Sequence, residues 1–205
     1  MRNERRFVVP RPLRVIRQNV TYHCYSRCIE KRNILTSDFV KNIALFAVRK
    51  AKKKYKFDLS YIEFVEDHVH IVIKTLSGEA NISRIMQYIK ARITERCNLA
   101  LGRIGPLWNE RFKSEIIEDY ENPAEKFIKL IWYLAYNPVR RGLYADPRKN
   151  KYSGIHKYLG SEKEKNRKLP INLHEYFMSL GVTEYTRIKS FLKFEKEYAL
   201  NGPSC

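Results

Sequence analysis

The stretch that most constrains the fold is Asp67-His68-Val69-His70-Ile71-Val72-Ile73. A run of consecutive apolar, β-branched residues suits a strand covered on both faces. Side chains alternate along a strand, so His68 and His70 share one face and Val69 and Ile71 the other. Two imidazoles about 7 Å apart along a strand can turn toward one metal ion. The same spacing also fits two hydrogen-bonded histidines with no ion between them.

The surrounding pattern places this strand inside a sheet. Residues 19–29 are rich in β-formers and predict a first strand. Ser37 is a helix cap, and Phe39, Ile43, Phe46 and Ala47 repeat at helical spacing over about 38–54. Residues 57–65 predict a second strand, turning at Glu66-Asp67 into the third, 68–74. Asn81 caps a long helix with Ile82, Ile85, Met86, Ile89, Ile93 and Cys97 on its buried face, and Gly102 stops it. Residues 103–112 are a Gly/Pro-broken loop, and 113–119 predict a fourth strand. The order β-α-β-β-α-β, followed by a further helix, is an α+β, ferredoxin-like arrangement: one antiparallel sheet, two helices on one face, and the third strand central.

The further helix starts at Asn122-Pro123-Ala124-Glu125, a cap, a first-turn proline and a capping-box glutamate. It is expected to stop at Asn137-Pro138. Phe127, Leu130, Ile131 and Leu134 form its buried stripe, Tyr133 and Asn137 lie together on the border, and Tyr136 lies opposite. A border position can look onto the sheet where the histidines lie. The set suggests a site in which His68, His70 and the Asn137 side-chain oxygen bind a divalent ion. Tyr133 would then be the nucleophile, helped by an ion that polarises a phosphate. Most of the 14 tyrosines in such a chain are packing residues, so Tyr133 alone would mean little.

Charge points the same way. The chain of 205 residues carries 40 Lys+Arg against 22 Asp+Glu, a net +18, which favours a polyanionic partner. On the helix after Asn81, Arg84, Gln87, Lys90 and Arg92 lie off the buried stripe, either as a solvated surface or as a strip along a phosphate backbone. Trp108 either stacks on a base or covers the core. The apolar run Ile43 to Val48, like every other in the chain, is far short of the ~20 residues a membrane span needs. Cys24, Cys28, Cys97 and Cys205 include no C-x-x-C pair, which reads as reduced thiols in a cytoplasmic protein.

Several pieces taken together resemble a known family. They are Thr21-Tyr22-His23-Cys24-Tyr25-Ser26-Arg27, His68-Val69-His70, Ile82-Ser83-Arg84-Ile85-Met86-Gln87, and Gly105-Pro106-Leu107-Trp108-Asn109-Glu110-Arg111-Phe112-Lys113. The last is Tyr133-Leu134-Ala135-Tyr136-Asn137-Pro138-Val139-Arg140-Arg141-Gly142-Leu143. Over roughly residues 14–160 the chain resembles the REP-associated tyrosine transposases, within the IS200-like single-tyrosine HUH superfamily. The resemblance implies cleavage and rejoining of single-stranded DNA near hairpins, through a 5′-phosphotyrosine link and with Mg²⁺ or Mn²⁺. It maps the catalytic tyrosine to Tyr133, the paired histidines to His68 and His70, and a third ligand to Asn137. Arg27, Arg111, Lys113, Arg140 and Arg141, within or beside these motifs, join the helix residues and Trp108 as expected DNA contacts. Val65-Glu66-Asp67 departs from the Met-Pro-Asn common in the family.

The expected organisation is a basic arm over 1–17, the transposase domain over 18–160, and a charged linker with a helical extension over 161–205. Helical patterns fall near 171–180 and 183–199, with Phe191, Leu192 and Phe194 docking the last on the core. The expected state is a monomer or homodimer in the cytoplasm of a bacterium, associated with the nucleoid. Two alternatives remain at this point. One is a non-catalytic sheet that binds single-stranded nucleic acid, although residues 68–74 lack the aromatics such sheets use. The other is an HUH replication initiator or relaxase, although no G-x-x-x-x-G-K-[ST] loop is present.

Overall fold

The computed structural model describes residues 13–161 and 169–201. Most of the expected arm, and all but Ser161 of the linker to Lys168, lie outside the described residues. The strands are β1 (Thr21–Arg27), β2 (Phe57–Phe64), β3 (His68–Thr75) and β4 (Lys113–Ile116). They form one antiparallel sheet in the order β2-β3-β1-β4, the ferredoxin-like arrangement expected, with β3 and β1 inside. Helix α1 (Asp38–Lys54) joins β1 to β2, and α2 (Ile82–Leu101) joins β3 to β4. The Ser37 hydroxyl accepts the Val40 N–H at 3.3 Å, and the Asn81 amide oxygen accepts the Arg84 N–H at 3.0 Å. Each satisfies one of the amide groups that a helix start leaves unpaired. Gly102, at φ +59°, ends α2 in the left-handed conformation that glycine adopts without steric cost.

Register sorts the side chains onto two faces. His70 stands opposite Tyr25 on one side and Glu63 on the other, and His23 stands opposite Val72 and Glu115. These residues share a face with His68, because directly paired residues on antiparallel strands project together. Helix α3 (Pro123–Arg140) and the segment after it cover that face: Asn137 reaches His70, and Asn150 and Ser153 bond Glu63. Cys24, Val69, Ile71 and Ile73 point to the other face, left for α1 and α2, which pack on each other. The predicted stripe of α2, Ile82 to Cys97, is buried as a set.

Three element boundaries differ from expectation. Beyond Ile116 the chain leaves the ladder for a 3-10 turn at Ile117–Asp119, where the Glu118 side chain takes the Thr21 N–H at 2.8 Å in place of a strand partner. Helix α3 passes through Pro138 to Arg140 instead of stopping at Asn137. Proline fixes a helical φ and deletes one hydrogen bond, a tolerable loss in a last turn. The helix closes through Leu143 N–H to Pro138 O, with Gly142 at φ +72°. The helix expected over 171–180 is only α5 (Glu175–Met178), after α4 (Ile155–Tyr158). Its first residues are drawn out straight because Asn172 N–H bonds Leu59 O of β2 at 2.8 Å.

The last helix, α6 (Glu184–Asn201), lies along the outer side of α3. The Trp132 indole N–H bonds Phe191 O at 3.0 Å, the two rings stack 4.5 Å apart, and Tyr136 donates to Glu195 at 2.9 Å. Phe191 is fully buried, and Leu192 and Phe194 are partly so. No helix among the described residues is long and apolar enough to cross a membrane.

Candidate metal and nucleophile site

One cleft of about 540 Å³ opens between the sheet and α3, lined by His23, Tyr25, His68, His70, Tyr133 and Asn137, with Arg27, Lys113, Glu115 and Arg141 at its rim. The two imidazole rings expected to converge have centroids 4.9 Å apart, in an edge-to-face arrangement. Asn137 is buried, and its amide nitrogen lies 3.1 Å from His70 Nε2. Tyr133, one turn earlier, is half-buried on the same wall, with the Arg140 guanidinium 4.5 Å from its ring centroid. Arg140 also bonds the Tyr133 carbonyl at 3.2 Å and the Tyr198 hydroxyl of α6. The i, i+4 spacing thus puts Tyr133 and Asn137 on one face of α3, as expected.

Behind the two histidines stand carboxylates. Asp67 Oδ1 lies 2.6 Å from His68 Nδ1, so that nitrogen donates and Nε2 carries the lone pair. Burial alone would raise the Asp67 carboxyl. The His68 bond, with Arg141 at 3.7 Å and Arg27 at 3.4 Å, instead carries it below its ordinary value. Burial lowers His68 despite Asp67, and burial first, then the charges of His23 and His68, lowers His70 well below the usual imidazole value. Both rings are therefore neutral at pH 7, as ligation requires. His70 Nδ1 lies 2.9 Å from His23 Nε2, and His23 Nδ1 lies 2.8 Å from Glu115 Oε1. The His23 bond holds the Glu115 carboxyl down at about 2.

The donor set fits a divalent ion. Two neutral imidazoles, each backed through its other nitrogen, are the usual dress of metal-binding histidines. Asn137 would add an oxygen with its amide turned over from the orientation that faces His70. No group of three His, Cys, Asp or Glu side chains suited to a metal occurs among the described residues, in keeping with a set of two histidines and an amide.

The other expected DNA contacts divide by location. Lys113 lines this cleft and, with Arg111, an adjoining cleft of about 770 Å³ along β4. Arg84, Gln87 and Arg92 are exposed on α2, away from the cleft, and Arg92 pairs with Glu95 at 2.7 Å. Burial lowers Lys90 to about 8, and its ammonium bonds Glu110 O at 2.7 Å. The Trp108 indole N–H bonds Lys90 O at 3.2 Å, and its ring packs against the core. His23, Tyr25, Asp67 and Glu115 received no role from the sequence. Their signal was cross-strand register, which only the β1–β3 and β1–β4 pairing supplies.

Comparison with known proteins identifies the family and the fold. A family model described as "Transposase IS200 like" matches residues 16–129, more than half of the chain, taking in both histidines and ending before Tyr133. A Haemophilus influenzae protein named as a REP-associated tyrosine transposase is 23% identical over 125 residues, covering 57% of this chain and 69% of that one. A solved structure of a REP-associated tyrosine transposase bound to a REP hairpin superposes with a TM-score of 0.63 at 16% identity, covering 81% of this chain and 93% of that one. That likeness shows a shared fold. The chain belongs to the IS200-like transposase family.

Proposed function

We propose that this chain cuts and rejoins single-stranded DNA beside a palindromic-repeat hairpin, with Tyr133 as nucleophile. The supporting observation is the shared cleft, which Tyr133, Asn137 and the neutral His68–His70 pair line together. The Nε2 atoms of both histidines and the Asn137 oxygen would hold Mg²⁺ or Mn²⁺. Imidazoles suit Mn²⁺, while Mg²⁺ prefers oxygen ligands. Such an ion, when bound, polarises the scissile phosphate and offsets the charge that builds on it.

The chain's own groups do the rest. Tyr133 Oη attacks phosphorus and gives up its proton. The bond from phosphorus to the 3′ oxygen breaks, and that oxygen takes up a proton and leaves as a free hydroxyl. The 5′ side remains esterified to Tyr133, so one phosphoester replaces another and the reverse step rejoins the strand. Arg27 and Arg141, tethered to Asp67, keep further N–H groups for the non-bridging oxygens. Lys113 and Arg111 would guide the strand along β4, and Arg84, Gln87 and Arg92 would meet phosphates farther from the cut. The relative solved with a REP hairpin supports a hairpin as the partner, and the family supports a cytoplasmic site at the nucleoid.

The test is a hairpin oligonucleotide incubated with the protein and Mn²⁺. A denaturation-resistant protein–DNA adduct is expected from the wild type and from Tyr25→Phe, which removes the other phenol of the cleft, and none from Tyr133→Phe. An adduct in Tyr133→Phe rejects the assignment. Hairpin binding that ignores chelator, with no cleavage, would point to a binding module instead.

A further inference from the structure

We infer that His23 and Glu115 are positioning residues that set the proton of His70, so that its Nε2 faces the cleft as a metal-binding lone pair. The inference rests on the reading of His68, His70 and Asn137 as ligands. Its physical basis is a chain of hydrogen bonds that runs in one direction. An ionised carboxylate can only accept, so the proton between Glu115 Oε1 and His23 Nδ1 belongs to the imidazole. A donor at His70 Nε2, the Asn137 amide nitrogen at 3.1 Å, leaves the ring's proton on Nδ1, so in the 2.9 Å contact His70 donates and His23 Nε2 accepts. That leaves His70 Nε2 unprotonated.

The His23 and His70 rings lie within 24° of coplanar with centroids 5.1 Å apart, the geometry of an in-plane N–H···N bond and too wide for face-to-face contact. Glu115 is itself oriented, because Tyr120 donates to its second oxygen at 2.9 Å. The relay crosses three strands, β4 to β1 to β3: Glu115 and His23 are directly paired, and His70 is the diagonal neighbour of His23, two residues before its direct partner Val72. His68 reaches the same tautomer by a direct contact with Asp67. The two ligands are thus oriented by different carboxylates, one adjacent and one relayed.

The experiment uses the full chain and Mn²⁺ alone, with free Mn²⁺ read by electron paramagnetic resonance. His70→Ala should lose the site. His23→Leu and Glu115→Leu should weaken Mn²⁺ binding about 10- to 100-fold. His23→Gln, whose side-chain oxygen can still accept from His70 Nδ1, should bind more tightly than His23→Leu. Nitrogen-15 spectra of the metal-free wild type should show His70 protonated on Nδ1, a readout that needs no variant to fold. Wild-type affinity in both His23→Leu and Glu115→Leu, or a proton on His70 Nε2, overturns the positioning role while leaving the ligands in place. Equal Mn²⁺ binding by wild type and His70→Ala overturns the metal reading itself.

Discussion

At the scale of single residues, His174 shows how burial converts a side chain into a pH-dependent fastener. Its ring stacks on Phe127 at 4.2 Å, its Nε2 bonds Thr21 Oγ1 of β1 at 2.9 Å, and its Nδ1 accepts the Tyr176 N–H at 3.2 Å. Burial first, then the Lys74 charge, lowers it to about 4, with Glu175 opposing. The folded form therefore holds a neutral ring, and the unfolded chain binds the extra proton between pH 6.5 and 4. Its contribution is whole above pH 6.5 and shrinks by about 1.4 kcal/mol per unit as pH falls toward 4. Chemical unfolding across that window should show this slope in the wild type and lose it in His174→Asn, which keeps the α5 cap. An unchanged slope would refute the assignment. Nothing in the local sequence marks His174, whose partners are Thr21 on β1, 153 residues away, and Phe127 on α3. The pairing of His68 with His70, and of Tyr133 with Asn137, was legible because strand and helix periodicity alone give it.

At the scale of elements, α3 carries the proposed nucleophile and α6 holds α3. Contacts fall on Trp132, Tyr136 and Arg140, one stripe at i, i+4, i+8, while Tyr133 and Asn137 occupy the stripe beside it. That double commitment explains why α3 is buried on more of its surface than the predicted stripe of Phe127, Leu130, Ile131 and Leu134: Trp132 and Ala135 are covered as well. Single-helix periodicity could not reveal a second partner whose own pattern is weakly amphipathic. Phe191→Ala should cost about 3–5 kcal/mol, as for other large aromatic truncations in a core, read as a lowered unfolding midpoint. A milder variant, Tyr136→Phe, removes only the bond to Glu195 and should leave the midpoint nearly unchanged while slowing adduct formation. If α6 merely covers apolar surface, Tyr136→Phe will cut at the wild-type rate.

For the whole molecule, the excess of +18 predicts binding led by phosphates. Log affinity for the hairpin against log salt should fall by about 0.7 for every single-stranded phosphate neutralised. A flat line would mean that the basic surface is not the source of affinity. The fold was legible from element order, while the anchoring of the expected arm was not: Arg14 is tied to Ser83, Ser114 and Phe112. Imidazoles, amide and phenol in the cleft all come from one chain, and α6 pins the helix that bears the phenol. A mixture of Tyr133→Phe and His70→Ala proteins should accordingly fail to restore adduct formation, whereas exchange of helices between copies would rescue it. With α6 anchoring α3, a strand cut as proposed would stay tied to a fixed wall of the cleft, so its rejoining would need no search.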